Sequence, residues 1–392
     1  MIVFAVCLAF AADPHLNSAI ETLRSVGKEG KGNAEAVKAW RVAADAPASE
    51  IPTLLAAFDG ANPLAVNYLQ SAVDAVVQKK KAELPLDQIE AFLKDAKHAA
   101  AARRLAFEIL TSAEPKRKQP LLDSMLDDPA VELRRDAVQV LLDKAEAELK
   151  ASRKDNAKTV YQEALKHLRD KDQVETTAAA LRKLGEPIDL ARQFGFITRW
   201  KFIGPFENEG NVGWKTAYPP EKEIDFAGEY DGKVGKVKWR DYETDDDVGH
   251  VDLSAFYDVN YRGAVTYAVA KFVSDKDQDV EIRLSSLVAS KLWVNGEKAF
   301  ERFESHAGYE VDQYRIPVKF KKGENVILFK TCQNEQTEVW AQDWKFAARV
   351  TDAIGTPILS TDRPAAKPHL GKPASQPKTY KKVGDKKAAE KK

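Results

Sequence analysis

The hydrophobic pattern of this chain changes period once. From about Leu16 to Gly195, apolar residues recur at three- and four-residue spacing in segments rich in Ala, Leu, Lys and Glu, the period of amphipathic helices. Around Phe196 that period gives way to short alternating runs separated by Gly, Asn, Asp and Pro, which is the texture of strands and turns. The pattern predicts a multidomain α plus all-β chain, with a helical first half and an antiparallel β second half.

Three helical segments look alike. They begin at Ile51 ("IPTLLAAFDGANPLAV"), Leu86 ("LDQIEAFLKDAKHAAA") and Gln119 ("QPLLDSMLDDPAVELR"), roughly 33 to 35 residues apart, and each reads as a short helix, a polar turn and a longer helix. Asn62-Pro63 and Asp128-Pro129 place a capping side chain ahead of a proline at the first helical position, where the missing N–H is no loss. Further on, Ala157, Tyr161, Ala164 and Leu165 share one helix face, and Gly185 with Pro187 closes the last helix. Arg103, Arg104, Arg134 and Arg135 read as a solvated face. "DPAVELRRDAVQVL" resembles the second helix of a HEAT repeat, and residues 155–185 resemble a TPR pattern. The resemblance implies a HEAT/TPR-like repeat array, whose units must stack to bury their apolar faces, and a protein partner for that array.

Past Phe196 the expected strands are "TRWKFIGPF" from Thr198, "VTYAVAKF" from Val265, "DVEIRL" from Asp279, "KLWV" from Lys291, "QYRIPVKF" from Gln313, "NVILFKT" from Asn325 and "WKFAARVT" from Trp344. Pro317 confines its strand to a sheet edge or a bulge. Asn295-Gly296 tolerates the positive φ angles of a type I′ turn and predicts a tight hairpin. Many short strands with such turns predict an antiparallel β-sandwich. The order Trp293-Val294-Asn295-Gly296, then Gly308-Tyr309, then Lys322-Gly323 with Asn325-Val326, resembles the jelly-roll sugar-binding domain at the front of glycoside hydrolase family two enzymes, over about residues 248–350. With Trp200, the run Ile203-Gly204-Pro205-Phe206 and the run Tyr218-Pro219-Pro220-Glu221, the chain also resembles secreted bacterial proteins that join HEAT- or TPR-like helices to a galactose-binding-like sandwich. That family often carries acidic residues before the W-V-N-G strand. This chain has Ser285-Ser286-Leu287 there, so no ligand role is expected at that position.

Charge refines the layout. Lys plus Arg balances Asp plus Glu at 60 each, yet the stretch from Thr361 holds ten basic and three acidic residues. Positive charge concentrated in a tail, not on the folded body, excludes nucleic acid as the expected partner. "IVFAVCLAFAA" at residues 2–12 is too short for a membrane span and reads as a secretory signal with Ala9-Phe10-Ala11 as its cleavage site, which predicts a secreted or periplasmic protein. Its removal would leave Cys332 as the sole cysteine, with no intrachain disulfide. The expected domains are a signal peptide at 1–12, helical repeats at 13–195, a galactose-binding-like sandwich at 196–360 and a disordered basic tail at 361–392.

No HExxH, G-x-S-x-G or P-loop occurs. Family two hydrolases carry their catalytic carboxylates on a separate barrel after the sandwich domains. The roughly forty residues after this one leave no room for it, so no enzyme activity is expected. Asp245-Asp246-Asp247 could offer oxygens to a structural calcium but lacks the alternating spacing of a calcium loop, and no other cofactor is expected. Sugar rings stack on aromatic planes beside polar groups. The candidate ligand residues are therefore Trp214, Tyr309, Trp340 and Trp344, with Asn295, His306, Gln333, Asn334 and Glu335 as polar neighbours, while Trp200 and Trp293 read as packing residues. The sequence thus predicts a non-catalytic carbohydrate-binding sandwich, with a polysaccharide or glycan as partner, on a helical scaffold. The alternative is a protein-interaction scaffold of a cell-envelope assembly with a purely structural sandwich.

Overall fold

The computed structural model describes residues 13–257, 261–305, 308–336, 338, 341 and 343–371. The expected signal at residues 1–12 and the part of the tail from residue 372 lie outside them. The chain divides into two compact units, the first ending at Leu168 and the second beginning at Arg169. That division precedes the change of sequence texture at Phe196. Its physical reason is that the stretch before Phe196 pairs with the β part: Ile188 exchanges backbone bonds with His369, and Phe196 pairs with Arg349.

Among the described residues the first unit is helical throughout: α1 Pro14–Arg24, α2 Asn33–Ala43, α3 Ile51–Ala56, α4 Pro63–Lys79, α5 Leu86–Lys94, α6 Ala100–Ala113, α7 Lys118–Asp123, α8 Val131–Lys150 and α9 Lys154–His167. The three similar segments form α3–α4, α5–α6 and α7–α8, each a short helix and then a longer one. Asn62 caps α4 as expected, its Oδ1 accepting from the Leu64 and Ala65 amides with Pro63 at the first helical position. Asp128 does not cap α8, which starts at Val131 behind Ala130. Its carboxylate instead takes both terminal nitrogens of Arg103. Arg103 and Arg134 are accordingly buried and do not form the expected solvated face.

The second unit opens with helices α10 Lys171–Lys183 and α11 Leu190–Phe194. Twelve strands follow among the described residues: β1 Arg199–Glu207, β2 Glu229–Gly232, β3 Gly235–Lys238, β4 Arg240–Glu243, β5 Val251–Asp252, β6 Ala264–Ser274, β7 Gln278–Ser286, β8 Ala289–Val294, β9 Glu297–Arg302, β10 Tyr314–Phe320, β11 Gly323–Gln333 and β12 Lys345–Thr351. A six-stranded sheet runs β4-β1-β6-β11-β8-β9, a four-stranded sheet runs β10-β7-β12-β5, and β2-β3 is a separate hairpin. The ladders are antiparallel. Alternate residues of both sheets meet in one core that includes Trp200, Phe202, Phe272, Ile282, Leu284, Leu292, Ile327, Phe329 and Phe346. This is the expected β-sandwich.

Pro317 lies on the edge strand β10. Asn295 and Gly296 have φ of 51° and 85°, the positive pair a type I′ turn needs. The Asn295 Oδ1 accepts from the Val326 amide, and its Nδ2 donates to Asn325 Oδ1. Asn325 is itself buried and bonds the backbone of Lys321 and Gly323. The two motif asparagines therefore bolt one hairpin tip to the next turn. Trp293 packs on the outer side of the six-stranded sheet and not between the sheets. Residues 361–371, expected as disordered tail, are placed against the second unit: Arg363 donates to the Phe196 carbonyl, and Lys367 pairs with Glu243 at 2.7 Å.

The 308–313 loop is held by charge. Asp312 accepts from Arg349 Nε at 2.7 Å and from Arg283 Nη1 at 2.9 Å, and both arginines are buried. Burial pushes the Asp312 carboxyl up, but the hydrogen bonds and charge of Arg349 and Arg283 outweigh it and hold the carboxyl below its ordinary value of 3.8. A depressed acid stabilises the fold above its unfolded-state pKa and stops doing so as pH falls through the folded value. The second unit should therefore lose this contribution below about pH 4. Asp312→Asn should be less stable than wild type at neutral pH, with the difference narrowing on acidification. Denaturant midpoints read by tryptophan fluorescence at pH 7 and about pH 3 check this. An unchanged difference at acid pH would refute it.

Candidate binding groove

Strands β6 and β11 are buried on both faces because the outer face of the six-stranded sheet has a cover of its own. Ile203, Phe206, Val265, Tyr267, Leu328 and Cys332 face outward beneath Trp214, Tyr218, Ile224, Tyr230 and Trp239. Phe206 stacks on Tyr218 at 4.6 Å between ring centres. Lys330, fully buried, donates to the Thr216 carbonyl at 2.8 Å and to Glu221 Oε1 at 2.6 Å, and the Tyr267 hydroxyl donates to the same oxygen. Burial pushes the Cys332 thiol up to about 12, so it stays a protonated packing group.

The expected ligand residues do not converge. Trp344 is 1% exposed in the inter-sheet core, its Nε1 donating to Thr331 Oγ1, so it is a core residue. Gln333 is buried too, with its Nε2 on the Ala341 carbonyl. Asn295 is the hairpin latch described above. Asn334 bonds Gln336, and Glu335 Oε1 accepts from the Gly210 amide. Tyr309 packs edge-on to His250 at 5.0 Å between ring centres. Trp214 is half-buried, with the Lys291 ammonium 4.3 Å from its ring centre and Phe303 beside it. His306 and Trp340 lie outside the described residues. Asp247 pairs with Arg182 through both oxygens, and Asp246 accepts from the Val248 and His250 amides. No group of three or more His, Cys, Asp or Glu side chains is placed to hold a metal among the described residues.

Where the cover ends, the sheet face opens into a groove of about 520 Å³ within the second unit, a size suited to a small ligand or a few units of a polymer. Core residues Trp200 and Phe202 alternate on β1 with Arg199 and Lys201, which point outward. Across the ladder Arg199 faces Glu243 and Lys201 faces Asp241. On β6, Val269 and Lys271 line the same face. Phe226 forms one wall. It is 38% exposed and is propped edge-on by Trp239 at 5.4 Å. The ammonium groups of Lys201 and Lys271 lie 5.6 and 5.8 Å from its ring centre. Ser360, Asp362 and Arg363 line the groove as well. The Glu243 carboxyl is held below the usual range first by Lys367 and then by Arg199, so it is an anion at neutral pH. An aromatic plane ringed by hydrogen-bonding side chains can stack a ring and bond its substituents.

Sequence reasoning missed this groove. Arg199, Lys201 and Lys271 carried a signal, since each alternates with core residues and so must face outward. Phe226 carried none, because "EIDFAGE" has no period to set its direction.

No protein-family model matches the chain, and no curated protein does. Among solved structures, the chain is similar to a β-glucosidase from Kluyveromyces marxianus in complex with glucose, at 15% identity and a TM-score of 0.24, over 32% of this chain and 15% of that one. It is also similar to the selenomethionine-labelled β-glucosidase of the same organism at 14% identity and a TM-score of 0.25, over 39% of this chain and 16% of that one. A glycoside hydrolase family 31 α-xylosidase from Xanthomonas citri shares 10% identity at a TM-score of 0.18, over 40% and 16% of the two chains. The chain thus spans about a sixth of the length of these enzymes. Likeness at this level carries no argument about ligand or activity. No helix among the described residues is long and apolar enough to cross a membrane.

Proposed function

We propose that the chain is a non-catalytic carbohydrate-binding protein of the secreted or periplasmic space, in which a galactose-binding-like jelly roll binds a glycan and the helical unit is a repeat scaffold. One observation carries the reading. Phe226 stands half-open on a groove that mixes apolar lining such as Val269 and Pro364 with the hydrogen-bonding side chains of Arg199, Lys201, Asp241 and Glu243, the chemistry that stacks a pyranose ring and reads its substituents. The expected aromatic-plus-polar logic is kept, but on different residues. Arg199, Lys201, Asp241 and Glu243 take the places given in sequence to Gln333, Asn334 and Glu335.

Affinity electrophoresis of the full chain through gels carrying a panel of neutral and charged polysaccharides tests the reading. Retardation is expected in at least one gel. Phe226→Ala should weaken it by about tenfold, the loss that accompanies removal of an aromatic anchor. No retardation by a folded protein in any gel would sink the reading and favour the protein-scaffold alternative.

A further inference from the structure

The groove's charges are arranged more pointedly than a neutral sugar requires. Three cations, Arg199, Lys201 and Lys271, stand on the same outward face of adjacent central strands, and Arg363 lines the groove with them, against the three carboxylates Asp241, Glu243 and Asp362. Like charges so close are unfavourable unless something anionic answers them. The protein's own answers are weak. Lys201 is paired at 2.5 Å to Asp241, but that carboxylate is 83% exposed on the edge strand. Lys271 is paired at 2.9 Å to Glu324, which is half-exposed. Glu243 is shared between Lys367 at 2.7 Å and Arg199 at 3.4 Å. Arg363 donates to the Phe196 carbonyl and feels the Asp189 carboxylate without a direct ion pair among the described residues. Exposed pairs of this kind are worth about 0–1 kcal/mol, so an incoming carboxylate can displace them at little cost.

Resting on the carbohydrate reading above, we propose that the ligand of this groove is an acidic polysaccharide whose sugar rings carry carboxylates, a uronate-bearing chain. The aromatic ring and the two ammonium groups are one constellation, since both nitrogens lie within 6 Å of the Phe226 centroid. The Lys201 and Lys271 ammonium groups stand over the Phe226 ring, so a hexuronate that stacks there displaces them from the ring face and pairs its carboxylate with them. The next carboxylate along the chain meets Arg199 and Arg363. Cation–carboxylate hydrogen bonds give such a site its preference, and the aromatic contact gives it its hold on a sugar.

The test uses the full chain with polygalacturonate and alginate as probes, and with their fully methyl-esterified forms as neutral controls. Binding of at least one acidic polymer is expected, with about tenfold weaker binding of its ester and a marked fall in affinity with added salt. Lys201→Gln with Lys271→Gln should bring the acidic polymer down to the level of the ester. Both lysines are half-exposed, and an unchanged thermal melt confirms that the fold is intact. Phe226→Ala should weaken acid and ester alike. Equal binding of acid and ester, unaffected by the lysine changes but lost in Phe226→Ala, would overturn the uronate inference and leave the carbohydrate reading standing. Failure to bind the acidic polymers while a neutral polysaccharide is retarded does the same. Silence toward every polysaccharide overturns both. Tighter binding of an anionic lipid vesicle or a DNA oligomer than of either polymer also overturns the inference.

Discussion

Lys330→Ala is expected to destabilise the second unit by about 3–5 kcal/mol. The ammonium is fully buried and Glu221 nearly so, with side-chain exposures of 0% and 14% at an Nζ to Oε1 separation of 2.6 Å. Truncating the lysine leaves the Glu221 carboxylate largely out of water with the Tyr267 hydroxyl as its remaining hydrogen-bond partner among the described residues and the more distant Lys291 charge, and leaves the Thr216 carbonyl without its donor. The cost is that of an uncompensated buried charge, which exceeds what the pair contributes net. For that reason Lys330→Met combined with Glu221→Leu should recover most of the loss. Six of the seven tryptophans lie past Arg169, so fluorescence-detected urea unfolding reports this unit. A single-variant loss under about 1 kcal/mol, or a double variant no better than the single, would show that the pair carries little coupling.

The same pair bears on binding. Thr216 and Glu221 belong to the segment that covers β6 and β11, and Phe226 follows Glu221 by only a few residues. The Lys330 latch therefore fixes how far the cover reaches and where the aromatic wall of the groove begins. "YPPE" has a physical meaning in this light: Tyr218 stacks on Phe206 and donates to the Glu207 carbonyl, the two prolines start a one-turn helix over Pro219–Lys222, and the glutamate meets the buried lysine.

The periodic part of the fold was legible in the sequence. Each of the seven expected strands has apolar residues on at least one buried face, and these became β1, β6, β7, β8, β10, β11 and β12. Strands β2 to β4 span four residues each and are largely exposed, and β5 spans only two, so none carries an alternation for a period to reveal. The site was less legible because residue type does not distinguish packing from binding. Asn295 looks like a sugar-bonding amide and is a backbone latch. Trp344 looks like a stacking platform and is core, because it stands just before β12 and packs in the core that the two sheets share. Arg103 and Arg134 looked solvated because a doubled arginine on a helix usually is, and only the fold brings Asp128 to Arg103. The groove depends on the non-local order β4-β1-β6, which no local pattern encodes.

The Arg103 contact sets the second large expectation, in the helical unit. Its guanidinium grips Asp128 in a two-pronged pair at 2.7 and 2.6 Å, and its Nε donates to the Leu93 carbonyl at 2.7 Å. Side-chain exposures of 3% and 8% put both charges in the interior. One residue thereby joins the end of α5, the start of α6 and the turn before α8, where Asp128 also accepts from the Ala130 amide and its carbonyl accepts from Arg134. Asp128→Ala should cost about 3–5 kcal/mol, since it strands a buried guanidinium and frees the turn together. Arg103→Lys should lose most of that as well, because a single ammonium cannot reproduce the forked contact and the bond to Leu93 at once. Helix content followed by circular dichroism through urea unfolding reports the change, the first unit being helical throughout its described residues. Should Arg103→Lys prove as stable as wild type, the forked geometry would be incidental and charge alone would hold the turn.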